Sequence, residues 1–181
     1  GKNGDGGGAG ENNPLRLRGI RMTEKTFADL EGKVCAITGG AGVIGTALVN
    51  GLAEAGVKCA ILDIAPDPAN ALAESVREKH GVEAMGVEAN VLDQDSLAGA
   101  KKVVNERLGP IELLINGAGG NSPKATTQVE FMTRDHLGHM ADTFFGLDID
   151  GFRKVFDLNF LGTILPSMVL TGDMLDKGHG A

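Results

Sequence analysis

The stretch TGGAGVIG, residues 38–45, decides how the rest of the chain is interpreted. It lies between an apolar run that predicts a strand, residues 34–38, and a helical pattern that follows it. Glycines at such a turn let a phosphate group approach main-chain N–H groups, and the helix N-terminus adds a partial positive charge. Gly40, Gly42 and Gly45 satisfy the pattern G-x-G-x-x-G. The stretch predicts a phosphate-binding turn. The alternative is a turn in which the glycines serve packing only.

Strand-like and helix-like segments alternate along the chain from this turn onward. The predicted strands are residues 34–38, 58–63, 83–89 and 111–116, and the predicted helices between them are residues 43–55, 67–80 and 94–108. Successive βαβ units cross over with the right hand, so helices cover both faces of a parallel sheet and ligands bind at the carboxyl ends of its strands. We therefore predict the α/β class, with a Rossmann-type doubly wound parallel sheet of about four strands.

The length of 181 residues favours one domain with a substantial core. Residues 1–28 are rich in glycine and are expected to form a flexible leader, and residues 29–181 to form a nucleotide-binding domain. Within that domain, residues 117–147 predict a long loop with one short helix. Residues 148–177 predict a helix that Pro166 should kink.

Composition and charge exclude several classes of function. The net charge is −7 and basic residues are not clustered beyond Arg16, Arg18 and Arg21, which argues against a nucleic-acid partner. No apolar run approaches the roughly 18 residues of a membrane span, and a cytoplasmic location is expected. Cys35 and Cys59 lie in apolar strand-like runs, where buried thiols are favoured over a disulfide or a reactive site.

Asp63 ends the second predicted strand, close to the spacing of about 20 residues at which a carboxylate binds the ribose hydroxyls of a dinucleotide. A carboxylate there repels a 2′-phosphate, and no arginine follows within the next dozen residues to reverse the local charge. NAD is therefore favoured over NADP, and a solvated aspartate at a strand end is the alternative.

Four ordered motifs resemble those of the short-chain dehydrogenase/reductase family. The family's T-G-x-x-x-G-x-G loop aligns with residues 38–45, although Val43 stands where the middle glycine is usual. Asn90 and Val91 resemble its adenine-contacting D-V element, with Asn in place of Asp, and residues 116–119 (NGAG) resemble its N-N-A-G element. The turn, Asp63 and these elements together give the predicted cofactor contacts: Thr38, Gly39, Gly40, Gly42, Val43, Ile44, Gly45, Asp63, Ile64, Asn90, Val91, Asn116, Gly117, Ala118 and Gly119.

The fourth motif, Asn159 within DLNFLG, resembles the helix asparagine of the family's catalytic tetrad. The resemblance implies that this asparagine holds a water in the proton relay. It places the tetrad's serine, tyrosine and lysine on a fifth strand and the following helix, and the chain contains no tyrosine and ends at Ala181. We therefore expect a truncated copy of a dehydrogenase that is inactive alone.

A narrower likeness, to the D-mannonate oxidoreductase (fructuronate reductase) branch of this family, is carried by residues 116–127 and 156–163. The segment between Gly119 and Asn159 is longer than most family members use. The extra length would lie over the nicotinamide end, where an acid sugar would sit. Lys124 is the candidate contact for its carboxylate, with a solvated loop lysine as the alternative.

The strand order of the predicted fold places the fourth strand beside the first and leaves residues 113–115 on an open edge. We expect this apolar edge to cause poor solubility or oligomerisation, and the full-length protein to be a homo-oligomer. His136 and His139, with their acidic neighbours, form a candidate metal site, but Gly138 weakens the helix there and no third ligand is fixed, so no metal is expected.

Three functions remain open on the sequence. The first is an NAD-dependent oxidoreductase that transfers hydride between nicotinamide and a small sugar-acid or similar hydroxy/keto substrate. The second is a non-catalytic NAD-binding module. The third is a sugar-nucleotide epimerase with the same fold, against which the NGAG element at residues 116–119 counts.

Overall fold

Four parallel strands form a single sheet in the computed structural model, which describes residues 27–181. The strands are β1 (Val34–Thr38), β2 (Lys58–Asp63), β3 (Ala84–Glu88) and β4 (Leu113–Asn116). Their order in the sheet is β3-β2-β1-β4, so the fourth strand pairs with the first. The predicted class and strand order are confirmed. The predicted leader lies outside the described residues except for Phe27 and Ala28, where a 3₁₀ turn begins at Ala28.

Helices cover both faces of this sheet. Those of the described residues are α1 (Val43–Glu54), α2 (Pro66–His80), α3 (Gln94–Arg107), α4 (Ile149–Phe156), α5 (Gly162–Leu170) and α6 (Gly172–Lys177). The first three begin and end within one residue of their predicted bounds, and local signals mark the start of α3 and the end of α2. The Asp93 carboxylate accepts hydrogen bonds from two N–H groups at the start of α3, and Gly81, with φ of 69°, ends α2 in the left-handed conformation.

Two aliphatic cores lie on the two faces of the sheet. On one face, Ala36, Ala60 and Leu62 pack with α3 and α5. On the other face, the fully buried Cys35 and Cys59 pack with α1 and α2. Burial raises the pKa of both thiols to about 12. The predicted buried thiols are confirmed, and they stay protonated at neutral pH.

Strand β4 forms one edge of the sheet, as predicted, and its side chains are half-buried. On its outer side, the N–H of Ala181 donates to the carbonyl of Glu112 at 3.1 Å, and the N–H of Leu114 donates to the carbonyl of Ala181 at 2.8 Å. This pair of bonds has the pattern of a parallel bridge. The expected tendency of this edge to associate stays a prediction.

The single helix predicted for residues 148–177, kinked at Pro166, is wrong in its details. Pro166 lies buried inside α5, and the irregularity lies one turn earlier, in a π turn over Asp157–Leu161. The proline cannot donate to the carbonyl of Gly162, four residues before it, and its ring crowds that carbonyl. The wider π turn ends immediately before Gly162. A second break at Thr171 separates α5 from α6.

The loop over residues 117–147 holds more structure than the one short helix predicted for it. It contains four 3₁₀ segments: Pro123–Ala125, Arg134–Gly138, Met140–Asp142 and Phe144–Gly146. Hydroxyl groups start two of these segments, because Ser122 and Thr143 each accept a hydrogen bond from the N–H two residues later. Within residues 27–181, no helix has the length and apolarity to cross a bilayer.

Candidate functional site

A cavity of about 470 Å³ opens at the carboxyl ends of the four strands. Two residues that the sequence analysis missed line it: Ala89, the last residue of a predicted strand, and Leu158, the neighbour of Asn159. Most of the predicted cofactor contacts also line this cavity. They are Gly39, Gly42, Val43, Ile44, Gly45, Asp63, Ile64, Asn90, Val91, Gly117, Ala118 and Gly119.

The turn between β1 and α1 tolerates only glycine at two positions. Gly39 has φ of 62°, and a Cβ atom there would lie 2.7 Å from the Cα of Ala118. A Cβ atom on Gly45 would lie 2.7 Å from the Cα of Gly40 and would overlap the carbonyl oxygen of Gly39. The close approach of α1 to the turn therefore depends on Gly45.

Main-chain N–H groups at this turn divide into two sets. Those of Gly40, Ala41 and Gly42 already donate to protein acceptors at 3.1–3.2 Å. Gly40 accordingly lies behind the cavity rather than in its lining. The first turn of α1 carries no acidic residue, and three of its N–H groups have no acceptor within residues 27–181: Val43, Ile44 and Gly45. These free donors, with the helix dipole behind them, make the turn a site for an anion.

Asp63 faces this turn from the end of β2, and the backbone fixes its carboxylate. One oxygen accepts the N–H of Ala41 at 3.1 Å, and the other accepts the N–H of Ala65 at 3.1 Å. A carboxylate oxygen can accept more than one hydrogen bond, so both oxygens keep capacity toward the cavity. The carboxylate is therefore oriented before any ligand arrives.

Thr38 and Asn116, both predicted as cofactor contacts, lie behind the cavity. The fully buried hydroxyl of Thr38 accepts hydrogen bonds from the N–H groups of Gly117 and Ala118, each at 3.2 Å. The amide of Asn116 donates to the hydroxyl of Ser167 on α5 at 3.0 Å. Both side chains hold the turn that follows β4 in place.

We expect Thr38→Val to lower the free energy of unfolding by about 1–3 kcal/mol, because the N–H of Ala118 would lose its buried acceptor. Thr38→Ser keeps the hydroxyl and is the matched control, with a smaller loss. Urea denaturation of the three proteins measures the difference. A valine variant as stable as the serine variant would contradict this role for the hydroxyl.

Asn159 ties the π turn to the loop after β4. Its amide nitrogen donates to the carbonyl of Gly120 at 2.8 Å, and its amide oxygen accepts the N–H of Gly120 at 3.2 Å. A Cβ atom on Gly119 would lie 2.7 Å from that amide oxygen. The side chain of Asn159 is thus committed to holding this loop, while its neighbour Leu158 lines the cavity.

Lys124 lies outside the cavity lining, at the base of an excursion over residues 126–147. Its ammonium group lies 3.7 Å from the carboxylate of Asp148, and its carbonyl accepts the N–H of Asp148 at 3.0 Å. The two ends of the excursion therefore meet at this pair. Within the excursion, Nδ1 of His136 accepts the N–H of Thr133 at 3.0 Å. The described residues contain no group of three or more His, Cys, Asp or Glu placed to hold a metal ion.

Comparison with known proteins identifies relatives across most of the chain. The family model described as short chain dehydrogenase matches residues 33–181. An uncharacterized oxidoreductase of Haemophilus influenzae is 39% identical over 149 residues, which cover 82% of this chain and 52% of that protein. The uncharacterized oxidoreductase UxuB of Bacillus subtilis is 41% identical over 147 residues, which cover 81% of this chain and 51% of that protein.

Solved structures match the fold as well. The crystal structure of a candidate D-mannonate oxidoreductase from Haemophilus influenzae with bound NAD superposes with a TM-score of 0.76 at 38% identity. The match covers 82% of this chain and 53% of that one. The chain thus spans about half the length of the curated relatives it matches.

Proposed function

The chain belongs to the short-chain dehydrogenase family, and from this premise we propose that it is the dinucleotide-binding part of an NAD-dependent oxidoreductase. When bound, the nicotinamide exchanges a hydride with the substrate carbon. The proposed substrate is a sugar acid or a similar hydroxy/keto compound. The match to a structure described as a candidate D-mannonate oxidoreductase with bound NAD supports this class.

The observation that carries the proposal is the pairing of an anion site with a fixed carboxylate. The free N–H groups of Val43, Ile44 and Gly45 suit the diphosphate, which sits at a helix N-terminus in folds of this type. Asp63, oriented by Ala41 and Ala65, suits the two hydroxyls of an unphosphorylated ribose. The residues present therefore fit a dinucleotide with a diphosphate and a free 2′-hydroxyl.

The order of the strands gives the direction of the dinucleotide along the cavity. With the diphosphate at α1 and one ribose at Asp63, the adenine lies on the β3 side and the nicotinamide on the β4 side. Gly117, Ala118 and Gly119 line the cavity on the β4 side. We assign these three residues to the nicotinamide half.

In the proposed reaction, the residues of this chain bind and orient the dinucleotide. Asn159 touches Gly120 rather than the cavity, and we assign it a positioning role on the loop that borders the nicotinamide. None of the 181 residues is a tyrosine, so the tyrosine that the family resemblance implies as proton donor is not among them.

Lys124 stays the proposed contact for a substrate carboxylate. Its ion pair with Asp148 is long, at 3.7 Å, and its side chain is 71% exposed. An exposed pair of this kind contributes little stability, about 0–1 kcal/mol. A substrate carboxylate can replace Asp148 at little cost. Homo-oligomer formation and a cytoplasmic location stay predictions.

Fluorescence titration with NADH and NADPH tests the proposal. We expect NADH to bind more tightly than NADPH by about tenfold or more, because the carboxylate of Asp63 repels a 2′-phosphate. Tighter binding of NADPH would overturn the role of Asp63. Failure of both nucleotides to bind would overturn the proposed function.

A further inference from the structure

Three hydroxyl residues recur at every fourth position along α5 and its end: Thr163, Ser167 and Thr171. Each hydroxyl donates to the main-chain carbonyl four residues earlier, at distances of 3.1, 2.7 and 2.7 Å. Such bonds are common for hydroxyl side chains inside helices and do not by themselves imply a function. Within residues 27–181, the hydroxyl of Ser167 is the member of this hydroxyl stripe that also bonds to another side chain.

The second partner of Ser167 is the side chain of Asn116, the last residue of β4. A serine hydroxyl carries one hydrogen, and that of Ser167 is directed to the carbonyl of Thr163. Toward Asn116 the hydroxyl oxygen therefore acts as an acceptor, and it accepts the amide nitrogen Nδ2 at 3.0 Å. The helix carbonyl thus determines which end of the Asn116 amide faces α5.

The side chain of Asn116 depends on this one contact. Its amide oxygen is buried and has no hydrogen-bond partner among the described residues, so Ser167 alone orients the amide there. Removal of the hydroxyl would leave both ends of the amide without a partner. Gly117 follows directly, so a change at Asn116 reaches the β4 loop, which is defined as residues 117–120.

The β4 loop is held at both ends by one helical segment. Asn116 precedes the loop and is bound to Ser167, and Gly120 ends the loop and exchanges two hydrogen bonds with Asn159. Thr163 joins the two contacts, because its hydroxyl donates to the carbonyl of Asn159 and its carbonyl accepts from Ser167. The two ends of the loop therefore share one support.

We propose that Ser167 is a positioning residue for the nicotinamide half of the dinucleotide and acts through Asn116 on the β4 loop. The inference rests on the proposed function, which assigns residues 117–119 to that half. A loop that leaves its binding position part of the time lowers the apparent affinity in the same proportion. Only the ligand groups that contact the loop are affected. The diphosphate and the adenosine ribose are assigned elsewhere, to the start of α1 and to Asp63.

The test compares NADH with ADP, which carries the adenosine and the diphosphate but neither the second ribose nor the nicotinamide. Calorimetric titration of both ligands into the full chain and into Ser167→Ala gives four Kd values. For Ser167→Ala we expect the Kd for NADH to rise about fivefold, as for the loss of one hydrogen bond, and the Kd for ADP to stay within about twofold. A general loss of stability would weaken both ligands alike, so the ratio of the two Kd values separates positioning from folding.

Two variants control for this change. Thr171→Val removes the next hydroxyl of the stripe, which bonds to a helix carbonyl and to no side chain of the described residues, and it should keep the parent ratio. Ser167→Thr keeps the hydroxyl and should also keep the parent ratio. Should Ser167→Ala fail to fold, Ser167→Cys takes its place, because a thiol is a weak acceptor, and we expect the ratio to change in the same direction.

Three results overturn the inference: a parent Kd for NADH in Ser167→Ala, an affinity for ADP that falls as far as the affinity for NADH, or an equal change of the ratio in Thr171→Val. A Ser167→Thr protein with the ratio of the alanine variant overturns it as well. Each of these results requires that the parent chain binds NADH. A parent chain that does not bind NADH overturns the proposed function, and this inference with it.

Discussion

Replacing Gly45 with valine is expected to abolish NADH binding and to lower the free energy of unfolding by about 3 kcal/mol or more. A side chain at this position would overlap the carbonyl oxygen of Gly39 and lie 2.7 Å from the Cα of Gly40. Both contacts are with backbone, which cannot rotate away as the end of a side chain could. The first residues of helix α1 would have to move away from the loop between β1 and α1, and their free N–H groups would move with them.

Gly51→Ala is the matched control for this change. Gly51 lies in the same helix, and a Cβ atom there meets nothing within 4 Å. Alanine is the better helix former, so this variant should gain about 0.5–1 kcal/mol and bind NADH as the parent does. Urea denaturation and NADH titration of the two variants give both readouts. A Gly45→Val protein that binds NADH with the parent Kd would contradict the proposed role of the turn between β1 and α1 in binding the diphosphate.

Replacing Asp63 with alanine is expected to raise the Kd for NADH by about 10–100-fold and to erase the preference for NADH over NADPH. The variant removes the acceptors for the ribose hydroxyls and the charge that repels a 2′-phosphate. It also releases the N–H groups of Ala41 and Ala65, which the carboxylate now holds. Those released donors become available to a 2′-phosphate, so NADPH should lose less affinity than NADH.

Asp67→Asn controls for the loss of one negative charge near the turn. Asp67 is exposed in the first turn of α2 and lies outside the cavity lining. Its variant should keep the parent Kd values for both nucleotides. Titrations of the two variants with NADH and NADPH measure four Kd values, from which one NADH/NADPH ratio follows for each variant. A persistent preference for NADH in Asp63→Ala would show that another group selects the ribose.

The first half of the fold could be predicted from the sequence because each element there has its own marks. Apolar runs of five or six residues give β1 and β2, and the helices between strands have local signals at their ends. The second half is governed by features that the periodicity of apolar residues does not show. A π turn ends five residues before Pro166, and single hydroxyls start short 3₁₀ turns in the loop.

The sequence predicts which residues lie near the candidate site better than it predicts what each side chain contacts there. The motif places Thr38 and Asn116 near the cavity, but their side chains turn inward and hold the turn after β4. Ala89 and Leu158 line the cavity through position alone, since their side chains carry no polar signal. Which way a side chain turns depends on partners far along the chain, such as Ser167 for Asn116.

The excursion over residues 126–147 leaves and rejoins the fold at one point, the pair formed by Lys124 and Asp148. The number of residues in the excursion can therefore change without disturbing Gly120 and Asn159, which hydrogen-bond to each other directly. Insertions at such a closed base disturb a scaffold little. Under the proposed function, exchange of this segment would alter the contacts with the substrate and leave the turn proposed to bind the diphosphate unchanged.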